Sequence, residues 1–186
     1  LESAPDHATA LQYNYVWSWV KDGVPDVQFT SQRCHRAGLY RWEYPIHETL
    51  KYVGDGQEKL YNASSAVGIH HHPDESKSRG QYLPLLELAV QENPNDDRMR
   101  HYLAREYYFH GKYHDASREF NHHILMPEAQ WAPERAASMR YLGRLSPDSA
   151  DLWFKKAIIT APSFREAYYD LALVYYTRED WYNCYT

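Results

Sequence analysis

Two short segments of this 186-residue chain hold side chains of the kind that do chemistry. Tyr44-Pro45-Ile46-His47-Glu48 sets a carboxylate beside an imidazole. A Glu so placed can serve as a general base when it is partly desolvated. The zinc-binding helix pattern HExxH is excluded, because its second His would fall at position 51, which is Lys51. The alternative role for the pair is a cap or a surface contact. The second segment is His70-His71-His72-Pro73-Asp74. On a strand, His70 and His72 would share one face and His71 would take the other. One imidazole could then ligate a metal, with a carboxylate supplied from elsewhere. The alternative is a solvated loop edge. Asn62-Ala63-Ser64 fits the glycosylation sequon, a triplet too common by chance to carry weight.

Both segments lie in a half that reads as α+β. The stretch from Ala10 to Trp19 alternates and is rich in aromatics, which predicts a strand. Lys21-Asp22-Gly23 is a turn signal, and Pro25 to Arg33 reads as a second strand. Gly38-Leu39-Tyr40-Arg41-Trp42 leads into a third extended piece. His47-Glu48-Thr49-Leu50 is expected to open a turn or a short helix, and Ala66 to His70 reads as a last strand that delivers the histidines. A segment of about 75 residues is marginal as an independent domain, so this half reads as part of something larger.

From about Ser78 to Thr186 the texture becomes an internal repeat. Pro94 and Pro162 follow amphipathic runs and lie 68 residues apart, twice 34. The same offset relates Leu103 to Leu171, Ala104 to Ala172, Tyr107 to Tyr175, Tyr108 to Tyr176 and Tyr113 to Trp181. This is the period of the tetratricopeptide repeat (TPR), a helix–turn–helix unit. With position 1 at Asp97, the pattern is met by Leu103, Ala104, Tyr107, Ala116 and Phe120; Arg100 at position 4 and His123 at position 27 depart from it. With position 1 at Trp131, it is met by Ala137, Ser138, Tyr141, Ala150, Phe154, Ala157 and Pro162, and Glu134 departs. A third register from Arg165 gives Tyr168, Leu171, Ala172 and Tyr175, and Leu86, Ala89 and Pro94 fit the second helix of an incomplete first unit. Small residues are expected where paired helices cross closely, and large ones where they fill the seam to the next helix. Pro94-Asn95-Asp96-Asp97 offers N-caps, His110-Gly111-Lys112 a glycine break, and Ser146-Pro147-Asp148 a helix start.

Composition narrows the function classes. A net charge of −5 and a pI near 6.1 argue against a nucleic-acid or anionic-membrane surface, which would need clustered Lys and Arg. Apolar residues at 44% place the chain in the globular range rather than the disordered one. No apolar stretch of about 18 residues or more is present to span a bilayer. Leu1-Glu2-Ser3-Ala4-Pro5 has neither the basic start nor the apolar run of a signal peptide. Two distant cysteines, Cys34 and Cys184, fit a reducing, cytoplasmic setting better than a disulfide scaffold. The aromatic residues, 18 Tyr, 6 Trp and 5 Phe, suit a core, a groove or a stacking platform equally well, so their number does not choose among these.

Read in order, the pieces resemble the C-terminal portion of family 2 glycosyltransferases of the GT-A fold that carry a fused TPR tail. The residues that carry the likeness are Tyr15-Val16-Trp17-Ser18-Trp19, Asp22-Gly23, Tyr40-Arg41-Trp42, Pro45-Ile46-His47-Glu48, Ile69-His70-His71, and Lys77 and Arg79 leading into Tyr82 to Glu87. The resemblance implies a partial GT-A-like α+β segment with a mixed sheet over residues 1–79, then an all-α TPR solenoid over 80–186. It implies that Glu48, with His47, is the catalytic pair facing the acceptor hydroxyl. His71, or else His70, would hold a divalent metal, manganese or magnesium, on the donor diphosphate, and Trp42, Trp17 and Trp19 would bind sugar. The partners implied are a nucleotide sugar and its acceptor. The nucleotide-binding first half and the Asp-x-Asp metal motif of that family have no counterpart here, and Asp96-Asp97 falls in a repeat turn. The chain therefore reads as a fragment that lacks its donor site. The same residues also allow a non-catalytic TPR scaffold that binds a protein or peptide, or a self-assembling structural protein. A basic stripe on the first helices of the repeats would favour acidic peptides; Arg98, Arg100 and Arg105 lie close together, but Asp97 and Glu106 dilute them to a thin signal.

Overall fold

The structure, a computed structural model, describes residues 5, 7–72, 74 and 80–185. Lys77 and Arg79, which carry part of the resemblance above, lie outside the described residues, as do Pro73, Ser78 and Thr186. The chain divides into two compact units, Leu1–Ser78 and Arg79–Thr186.

Among its described residues the first unit carries six strands: β1 (Ala10–Val16), β2 (Gln28–His35), β3 (Tyr40–Glu43), β4 (Thr49–Tyr52), β5 (Leu60–Asn62) and β6 (Gly68–His70). β1 is central, with antiparallel β2 on one side and β5 and β6 in succession, both parallel to β1, on the other. The sheet is thus mixed. Ala10, Tyr13 and Val16 are the buried residues of β1. Alternation puts Ala10 and Val16 on one face and Tyr13 on the other, so this strand has no clean solvent side. β2 takes an extra residue opposite Gln12, a bulge between the pairs Leu11–Cys34 and Tyr13–Ser31. β3 and β4 form a separate antiparallel hairpin.

Several expectations need correction here. The first strand ends at Val16 rather than at Trp19, and the second runs over Gln28–His35 rather than from Pro25 to Arg33. Thr49 and Leu50 belong to strand β4, not to a turn or a short helix. The turn precedes them, at Tyr44 and His47, both of which take positive φ. The three-residue strand β5 has no alternation long enough to betray it.

The second unit is a helical repeat. Its described residues form α1 (Tyr82–Glu92), α2 (Asp97–Phe109), α3 (Tyr113–Leu125), α4 (Ala132–Leu145), α5 (Ala150–Thr160), α6 (Arg165–Thr177) and α7 (Trp181–Tyr185). Helices α2 and α3, α4 and α5, and α6 and α7 pack as TPR-like hairpins, with α3 against α4 and α5 against α6. Asp96 caps α2, its carboxylate accepting from the Met99 N–H at 2.9 Å. Gly111 ends the α2 turn at φ +71, a left-handed conformation that glycine adopts without steric cost. Ser146-Pro147-Asp148 does not open α5 directly; Pro147–Ser149 forms a 3-10 turn first. The small positions are where the helices meet: Ala104, Ala116, Ser138 and Ala157 have no exposed surface. No helix among the described residues is long and apolar enough to cross a membrane. Cys34 and Cys184 are free thiols.

Candidate functional site

The residues picked out in the first unit divide between two strand sets. β1 and β6 bring Trp17, Trp19, His70 and His71 together. The His71 ring stacks on Trp17 with centroids 4.5 Å apart and an interplanar angle of 8°. Its Nδ1 lies 3.2 Å from the Trp17 carbonyl oxygen, and its backbone N–H donates to Val16. Trp19 meets His70 edge-on at 4.8 Å, stacks on His72 at 5.9 Å, and donates its indole N–H to the His71 carbonyl. His47 and Glu48 lead instead into β4 of the separate hairpin, with Glu48 exposed to solvent. Trp42, on β3, is exposed, with the Arg33 guanidinium 5.9 Å above its ring.

Manganese and magnesium favour sets of oxygen ligands. The end of β6 offers imidazoles stacked on indoles, and His70 and His71 join no cluster of three metal-binding side chains among the described residues. The residues present there do not fit a hard divalent ion.

On the helical unit, the first helices of the hairpins, α2, α4 and α6, line a cleft of about 260 Å³. Ala136, Ala137 and Ala167 contribute its small residues, and Trp131 and Phe164, both exposed, its aromatic ones. Arg105 lies over the rings of Tyr102 at 5.1 Å and Phe109 at 5.8 Å, and is in no ion pair among the described residues. Arg140 is held by Asp170 at 2.6 Å. The thin basic signal of Arg98, Arg100 and Arg105 is thinner still in the structure. Arg100 is buried, donating to Glu119 at 2.5 Å and to the Pro94 carbonyl at 2.9 Å, so it leaves the face altogether.

Beside the cleft, and reaching it through Glu134 and His101, lies a buried polar cluster between α2, α3 and α4. Ser138 Oγ sits 2.7 Å from His101 Nδ1 and 2.9 Å from His123 Nδ1. His123 is 1% exposed, and its Nε2 has no hydrogen-bond partner. The ligand atoms of Asp97, His123 and Glu134 all lie within 4.8 Å of one another. Burial, reinforced by Arg135 and Arg100, pushes the His123 imidazole down to about 4 and so keeps it neutral at pH 7. Burial raises the Glu134 carboxyl to about 7 against the opposing pull of Arg98, whose guanidinium is 3.7 Å away. Burial also raises Asp97.

Sequence reasoning did not assemble this cluster, although the signal was present. His123 and Glu134 are two of the departures from the repeat pattern, and Arg100 is the third. Each places a polar group where the repeat asks for packing. The packing of α3 against α4 then brings His123 and Glu134 to one spot.

No family model matches the chain, and no curated protein is significantly similar to it. It is similar to the solved structure of MamA at a TM-score of 0.47 and 19% identity, over 57% of this chain and 64% of that one. This chain therefore spans less than two thirds of that protein's length. Nothing in these comparisons points to a family 2 glycosyltransferase.

Proposed function

We propose that the helical unit is a protein-binding scaffold that takes an extended segment of a partner along the α2–α4–α6 cleft. The cleft itself carries the proposal. Its alanines leave room for a peptide backbone to approach closely, and Trp131 and Phe164 offer flat apolar surface for the partner's side chains. Arg105 adds a cation that forms no ion pair among the described residues, although its charge bears on Glu134 in the same cleft, and it favours an acidic side chain in the bound segment. The occupant is thus an extended peptide combining an apolar residue with Asp or Glu. Sugar transfer by the first unit rests on sequence resemblance; Glu48 adjoins the β3–β4 hairpin and the histidines the end of β6 in the other sheet.

A random peptide library displayed on phage and panned against the full chain tests this. Enriched peptides should carry an acidic residue near an aromatic or aliphatic one. Measured by fluorescence polarisation, they should bind at least about tenfold more weakly to W131A, the size of effect that loss of an aromatic anchor produces. Enrichment of peptides indifferent to W131A would place binding elsewhere and defeat the proposal.

A further inference from the structure

The structure assigns Asp97, His123 and Glu134 as a binding site for one divalent first-row transition-metal ion, zinc in the first instance, buried between α2, α3 and α4. The argument stands apart from the partner-binding proposal. Three side chains from three different helices converge, with all ligand atoms within 4.8 Å of one another. Ligand bonds of about 2.0–2.2 Å would draw them closer by small side-chain rotations.

The imidazole is set up as a ligand. Ser138 fixes the His123 ring through Nδ1 at 2.9 Å, which turns Nε2 inward, where it meets no hydrogen-bond partner. An orphaned, fully buried ring nitrogen has a cost, and a metal bond removes it. A Nδ1–H donated to an oxygen is also the arrangement that orients a metal-bound histidine. Ser138 can accept that proton while donating its own to His101 Nδ1, 2.7 Å away. One imidazole with two carboxylates is a mixed nitrogen and oxygen set suited to zinc, and it leaves a coordination position open for water or a partner's side chain.

Two carboxylates supply the compensation a dication needs. Against it stand Arg98, 3.7 Å from Glu134, Arg105, which also bears on Glu134, and Arg135 and Arg100, which bear on His123. Arg100 is neutralised by Glu119. Arg98 also reaches the Tyr102 hydroxyl at 3.4 Å and lies over its ring at 5.1 Å, an alternative seat once Glu134 is engaged by metal.

The run His70-His71-His72, in which His70 and His72 are exposed, would bind zinc weakly by itself, so the test uses the full, tag-free chain carrying H70Q, H71Q and H72Q. This protein, stripped with EDTA, is titrated with zinc against a chromophoric chelator. We expect one equivalent bound with submicromolar affinity and a rise in Tm of about 5 °C or more at saturating zinc. H123A should lose roughly a hundredfold or more in affinity. Alanine is the residue the repeat itself favours at that position, so this variant should fold. Should H123A unfold, E134Q serves in its place with the same expected loss. A direct readout needs no variant: the His123 Nε2 resonance in a two-bond proton–nitrogen spectrum should shift when zinc is added. Absence of tight binding in the triple-Gln protein would overturn the assignment. So would unchanged affinity in H123A or E134Q, or an unmoved Nε2 resonance.

Discussion

Arg100 occupies a position where the repeat asks for a large packing residue, and it fills that volume with its side chain while burying its charge. The cost is met by Glu119, which accepts at 2.5 Å, and by the Pro94 carbonyl at 2.9 Å. Removing one member of such a pair leaves an uncompensated buried charge, whereas removing both need not. We expect E119A to lower stability by about 3–5 kcal/mol in urea denaturation followed by helical circular dichroism. The double variant R100L/E119L should recover most of that loss. Equal destabilisation by both would show that the pair is not the source. Tyr107 offers a pH test at the same scale. Its phenol donates to Glu87 at 2.9 Å, and burial, then Glu87, pushes its pKa up to about 12. An acid whose folded pKa is raised contributes stability that is complete below its unfolded value near 10 and is lost as pH rises through the folded value. The stability difference between the natural chain and Y107F should therefore shrink between about pH 10 and 12. A constant difference across that window would refute this role for Tyr107.

At the scale of elements, the crossing of α4 and α5 is set by Gly143. A methyl group there would come within 2.5 Å of the Phe154 ring, itself buried and unable to swing aside. Although Ala favours helices by about 1 kcal/mol over Gly, overpacking a closed seam costs about 1–3 kcal/mol, so G143A should be net destabilising or at best neutral. Thermal unfolding monitored by helical signal decides it; a clear rise in Tm would show that the seam has slack. Removing the α2 cap in D96A should cost about 1 kcal/mol by the same measurement. The helical elements were legible in the sequence because a 34-residue period repeats the same packing problem, and one register explains Leu103, Ala104, Ala116 and Phe120 together. The strands were less so. β1 is buried on both faces and β2 carries a bulge, which blurs the period-two signal, and β5 is three residues long. Thr49 and Leu50 form strand β4 because β3 pairs with them, a non-local contact that no local propensity records.

For the whole molecule, the repeat period marks which positions pack but not which face of the array stays open. The α2–α4–α6 cleft is therefore not legible in the period, and neither is the burial of Arg100 against Glu119 on α3. The buried cluster at His123 and Glu134 was readable only as two broken positions of a pattern; their meeting depends on the stacking of one hairpin on the next. The net charge of −5 also conceals the local cation that the cleft presents in Arg105. Partner binding in that cleft is the central claim, and a charge-swap cycle tests it most directly. A selected peptide and its Glu→Lys counterpart would be titrated against the natural chain and against R105E, with each protein's Tm confirming its fold. The account predicts that each single swap weakens binding about tenfold or more and that the doubly swapped pair recovers at least part of the loss, as coupled charges do. Additive losses with no recovery, in proteins that remain folded, would contradict it.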